Sequence, residues 1–171
     1  ETMTRGFTII EVIAYVAVLG NIGTSFSAVL LWSMKTYTKS QVMQETAWNA
    51  QRAMDIMAQE IREAKRVYTP TTLASQLSLA TSKYASAGHT ESFIDFFLCQ
   101  ERLCLKKESQ DRVVLTSNNV RVTSLAFLRV QSSPATASVR IILKVEYKNP
   151  NNRPELISSV ELRTASSVRK P

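Results

Sequence analysis

Few side chains in this sequence stand where they could do chemistry. Glu11 is the sole charge in Phe7–Trp32, FTIIEVIAYVAVLGNIGTSFSAVLLW, a run of 26 residues. A carboxylate inside an apolar span costs on the order of 3 kcal/mol on insertion scales and requires a partner. No Lys or Arg lies between residues 6 and 34, so a cationic partner must be a chain terminus or another molecule. Such a group does ion-pairing chemistry rather than catalysis. Cys99 and Cys104 are the only cysteines. Two thiols fall short of the four ligands of a structural zinc site, and their spacing lacks the two-residue gap of a CxxC redox motif. A disulfide fits them better. His89, the only histidine, has no second metal ligand or acidic partner nearby and reads as a surface loop residue. No Ser/His/Asp set, phosphate-binding glycine loop or metal-ligand cluster can be assembled. The sequence thus predicts no catalytic residue, no metal, no cofactor and no enzyme activity.

The elements that must position Glu11 follow from length and patterning. A chain of 171 residues suits one head domain and one long helix. The formal net charge of +7 suits anionic lipid, nucleic acid or an acidic partner alike. Lys and Arg are spread from Arg5 to Lys170 instead of forming one block, so a solvated basic surface outweighs a dedicated nucleic-acid site. As a helix, Phe7–Trp32 spans roughly 40 Å, enough to cross a hydrocarbon core of about 30 Å. The run is too long for the apolar region of a signal peptide. An ordinary single-pass anchor has the same length but no use for Glu11.

Arg5-Gly6-Phe7-Thr8-Ile9-Ile10-Glu11, opening an apolar helix, resembles the processing motif of type IV prepilins and type II secretion pseudopilins. The resemblance implies a pilin-like α+β fold: a long N-terminal helix whose apolar half protrudes and whose amphipathic half packs on an antiparallel sheet. It implies that residues 1–6 are a leader removed by a membrane prepilin peptidase between Gly6 and Phe7, that Phe7 is then N-methylated, and that its amine pairs with Glu11 of a neighbouring subunit. Residues 7–32 would serve as transmembrane and filament-core helix. Such a pair in a low-dielectric bundle sets register more than it adds stability. Gly20 and Gly23 lie in a cluster of poor helix formers, each costing roughly 1 kcal/mol against Ala. Local melting in the filament is one expectation there, and close helix packing at small residues the other. Many major pilins carry a proline a few residues on; here no proline precedes Pro70.

Residues 33–68 read as the amphipathic half of the helix. Met43, Ala47, Ala50, Met54, Met57, Ile61, Ala64 and Tyr68 make one apolar stripe, with Gln44, Gln51, Asp55, Gln59, Arg62 and Arg66 opposite. The pattern lasts to about Val67, and Thr69-Pro70 stops it.

Residues 69–91 read as a connecting loop with room for one short helix, and residues 92–165 as an antiparallel sheet. Its strands are expected at 92–99, 103–107, 113–116, 120–131, 139–148 and 156–164. Residues 166–171 form a tail, polar and disordered from Val168 on. Cys99 and Cys104, placed opposite each other across a hairpin, fall within disulfide range, and so short a closed loop contributes about 2 kcal/mol. That pairing presumes a head outside the cytoplasm. The order of head elements is similar to that of PilW-type minor pilins and J-type pseudopilins.

The expected function is that of a structural subunit, a minor pilin or pseudopilin. Its partners would be other pilin subunits, prepilin peptidase, an inner-membrane assembly platform and the lipid bilayer. It would lie in the inner membrane as a precursor, then in a surface pilus or periplasmic pseudopilus. Two rivals are a membrane-anchored extracytoplasmic binding module that never polymerises and a DNA-binding minor pilin for DNA uptake.

Overall fold

In a computed structural model of the chain, describing residues 8–68, 74–85, 88–133 and 136–168, Ile9–Glu63 form a single helix, α1. At about 1.5 Å per residue it is about 80 Å long. The first half, through Tyr37, touches no other element closely enough to bury a residue, and burial begins at Val42. Beyond it Asn49, Ala50, Ala53, Met54, Met57, Glu60 and Ile61 turn toward the head. The polar face is as expected: Gln44, Gln51, Asp55, Gln59, Arg62 and Arg66 are all exposed.

The stripe itself is rotated from the expected one at its N-terminal end, where Met43 is 52% exposed while Val42, Thr46 and Asn49 are buried in its place. At the other end Tyr68, 45% exposed, lies beyond the helix. Thr46 and Asn49 tolerate burial because their side chains bond the carbonyls of Val42 and Glu45, at 2.8 and 2.9 Å. The helix also ends earlier than residue 68. Ala64 is extended, and Arg66–Val67 form β1. Flanking that pair, the N–H groups of Lys65 and Tyr68 bond the carbonyls of Ala80 and Ser78 at 2.8 and 2.9 Å. A β-branched residue next to an aromatic suits such a ladder, and alternation turns Val67 inward and Tyr68 outward.

The head has two antiparallel sheets rather than one. β1, β2 (Leu77–Thr81), β3 (Ser92–Cys99), β4 (Arg102–Lys107) and β5 (Val113–Val114) pair in chain order; β6 (Val120–Ser133), β7 (Thr136–Tyr147) and β8 (Ser159–Ser167) make the second sheet. The stretch expected to be a loop, 69–91, therefore carries β2. Its Leu77 and Leu79, two residues apart, both point into the core, and a run that short gives a weak periodic signal. The last strand starts at Ser159 because Pro154–Leu156 form a 3-10 turn. The tail is not polar throughout, since Val168 joins the core, and Ser166 Oγ donates to the Ala58 carbonyl at 3.0 Å.

β6 shows how a break in alternation is absorbed. Val120 and Val122 are buried, as are Leu125 and Phe127, yet three residues separate Val122 from Leu125. The register shift between Val122 and Ser124 supplies the extra residue, so both apolar pairs face the same core. That core joins helix residues Ala50, Ala53, Met57 and Ile61 to Leu79, Phe96, Leu103, Ile141 and Leu143. Helix α1 lies chiefly on β7 and β8.

Candidate functional site: an unpartnered apolar helix with one carboxylate

The apolar half of α1 is open along its whole length. Ile10, Val16, Leu19, Ile22, Phe26, Leu31 and Trp32 are all between 60% and 77% exposed. An 18-residue window within α1 has a mean hydropathy of 1.7 and no buried residue. By length and composition this helix can cross a membrane. Exposed apolar surface on this scale is uncommon in a free protein in water and marks a contact with lipid or protein.

Glu11 sits in the first turn of α1, where a carboxylate complements the positive end of the helix dipole. Tyr15, one turn on, donates its hydroxyl to Glu11 Oε1 at 3.1 Å. That residue was not singled out in the sequence; its spacing of four, which puts two helix residues on one face, is the signal that could have found it. Gly6 and Phe7, the expected scissile pair, lie outside the described residues, as does the rest of the leader.

Through Gly20 and Gly23 the helix is unbroken. Local side chains bridge to its carbonyls: Asn21 Nδ2 to Ala17 at 3.3 Å, Thr24 Oγ1 to Gly20 at 3.1 Å and Ser27 Oγ to Gly23 at 2.9 Å. A Cβ added at either glycine would meet nothing within 4 Å. No contact among the described residues therefore requires glycine there. A requirement would arise only from what packs outside the chain or from a change in the helix.

Cys99 and Cys104 form a disulfide, with their α-carbons 5.9 Å apart. They are not directly opposite, as expected, but diagonal: Cys99 pairs with Arg102 and Cys104 with Phe97. The reason is the turn. Gln100 and Glu101 have φ of 50° and 59°, a two-residue hairpin with both central residues left-handed, which makes Arg102 the neighbour of Cys99. Diagonal neighbours share one face of the hairpin.

His89 is exposed, and among the described residues no three His, Cys, Asp or Glu side chains come together. One open cleft of about 560 Å³ is lined by Glu101, Arg121, Glu146, Lys148 and Ile157 among others. Its charges are balanced. Glu146 is bonded by Lys144 and Arg121, both at 3.1 Å, and these bonds, Lys144 foremost, hold its carboxyl below the usual range. Elsewhere on the head, the hydrogen bond from Lys83 depresses Glu63 and raises Lys83 in turn.

Compared with models of known families, with curated proteins and with solved structures, the chain matches none.

Proposed function

We propose that the chain is a structural subunit of a type IV pilus or type II secretion-like filament, a minor pilin or pseudopilin, held first in the inner membrane and then in the filament by α1. Prepilin peptidase cuts between Gly6 and Phe7, Phe7 is methylated, and its amine meets Glu11 of a neighbouring subunit as an assembly platform lifts the helix from the bilayer. The head stays outside the cytoplasm, where its disulfide persists.

The observation that carries the reading is Glu11. It is the one acid on a helical stretch whose apolar residues are all exposed, and Tyr15 can give it a hydrogen bond but no positive charge. A plain anchor gains nothing from a carboxylate at that depth, whereas an assembly of parallel helices gains a register mark. The openness around Gly20 and Gly23 supports two further roles there, helix melting or close packing on a neighbour.

Mass spectrometry of the native protein tests the processing step: an N-terminal, methylated Phe7 peptide is expected, and an intact Thr4-Arg5-Gly6 leader in cells with active peptidase overturns it. Glu11→Ala tests assembly, since it should abolish filament entry while membrane insertion persists. A variant that enters filaments as well as the parent sinks the proposal.

A further inference from the structure

We propose that the base of the head docks on anionic lipid headgroups through Lys35, Lys39, Lys148 and the loop ending at Ile157. This rests on α1 being a membrane span. The apolar run Phe7 to Trp32, 26 residues and roughly 40 Å as a helix, covers a hydrocarbon core of about 30 Å with some tilt and keeps Glu11 about one turn inside it. Trp32 and Tyr37, 71% and 65% exposed, then stand at the outer boundary, where amphipathic rings settle.

The first part of the head to meet α1 above that boundary is the loop after β7. Lys39 Nζ donates to the Ile157 carbonyl, and the 3-10 turn Pro154–Leu156 packs on α1. Lys39 is eight residues beyond Leu31, about 12 Å along the axis. Helix side chains lean toward the N-terminus, so its ammonium, and Ile157 with it, lies several ångströms nearer the bilayer. That is the depth of the polar headgroup layer, about 5 to 8 Å thick on each side. Ile157, the residue that closes this loop, is 57% exposed.

Charge and rigidity complete the surface. Lys35, one turn below Lys39, shares its helix face. Among the described residues Lys35, Lys39 and Lys148 form no ion pair, while Glu155, the acid of this loop, is engaged by Arg153 at 3.5 Å. The loop is held in shape by Asn149, whose amide donates to the Arg153 carbonyl and accepts its N–H, both at 2.8 Å. A prearranged, cationic loop that exposes an apolar side chain beside an open span fits an anionic interface.

The test uses the full chain in nanodiscs of phosphatidylcholine alone or with phosphatidylglycerol as the minority lipid, read by hydrogen exchange. With the anionic lipid, amides of Asn149 to Ile157 should exchange about fivefold more slowly or better, since each cation near such a surface contributes about that factor. Amides at the centre of β7 serve as the control. K35Q with K148Q, or high salt, should return the loop to its rate in phosphatidylcholine. Equal exchange in both lipids by a chain that inserts overturns docking and leaves the span standing. Failure to insert overturns both. Protection that follows the number of chains per disc, not lipid charge, assigns the surface to a second copy and overturns the proposal.

Discussion

Asn49 and Ser117, 68 residues apart in sequence, are joined by a 2.8 Å hydrogen bond from the Ser117 N–H to Asn49 Oδ1. The Asn49 amide also donates to the Glu45 carbonyl, so a side chain only 3% exposed has both ends engaged. Glu45 adds a second tie, accepting from Ser117 Oγ at 3.2 Å and Asn119 Nδ2 at 2.8 Å. Two residues one helical turn apart thus fasten α1 to the turn that precedes β6. They hold the helix to the head near the start of its buried stretch at Val42 and, with the Lys39 contact, set the direction of the exposed half.

Asn49→Leu removes the acceptor and leaves the Ser117 N–H without it. An orphaned donor on a half-buried residue costs toward the lower end of about 1–3 kcal/mol. Urea unfolding in mild detergent should show a loss of that size with an unchanged denaturant slope. A change under half of the lower bound would mean that the turn finds another acceptor.

Much of this architecture was legible because it rests on one-dimensional patterns. The apolar run with one acid, the exposed polar face of Gln51, Asp55 and Gln59, and the alternation of Val139, Ile141, Leu143 and Val145 each follow from a single period. Illegible were the places where a polar side chain takes a core position because a backbone group satisfies it. Asn49 and Thr46 rotated the expected stripe for that reason. β1 and β2 escaped because two and five residues carry too little periodicity, and Val67 at the end of a helical pattern continues as strand only once Leu79 is there to pair with it. At the candidate site, Glu11 was legible from its surroundings, whereas Lys39 was not, since its partner is a carbonyl 118 residues away.

The β3–β4 turn holds two L-residues, Gln100 and Glu101, in left-handed conformation. Asn-Gly is the pair that this turn favours, because Gly adopts positive φ without the Cβ penalty. Gln100→Asn with Glu101→Gly should stabilise the head by about 1 kcal/mol, the gain limited by the extra freedom of Gly in the unfolded chain. The shift should appear as a higher melting temperature at fixed detergent with the disulfide intact. A fall in stability would show that the Glu101 side chain makes a contribution greater than the strain.

Glu146 gives a pH dependence whose sign follows from its depressed carboxyl. Where the folded group releases its proton at lower pH than the unfolded one, its stabilisation is complete above the unfolded value. It is lost as pH falls through the folded value. The pair is partly exposed, so the contribution is under about 1 kcal/mol. Glu146→Gln should lower stability slightly at neutral pH and converge on the parent in acid, measured by urea titration across that range. A constant offset at every pH would assign the effect to packing on Arg121, not to charge.

The hydrogen bond from Tyr15 gives the Glu11 carboxylate a donor, and among the described residues no cation pairs with it. Tyr15→Phe alone would mix that loss with the greater hydrophobicity of Phe, so the informative measurement is a double-mutant cycle on membrane insertion, with Glu11→Leu as the second change. With Glu11 present, Tyr15→Phe should lose about 1 kcal/mol relative to its effect in the Glu11→Leu background, the usual net worth of a hydrogen bond. A cycle that closes to zero would mean that water or headgroups solvate Glu11 without help. The same variant separates two stages, because a donor that matters only before pairing should slow delivery of the subunit yet leave the finished filament unchanged, whereas one that shares the carboxylate with a neighbour's amine should weaken the filament too.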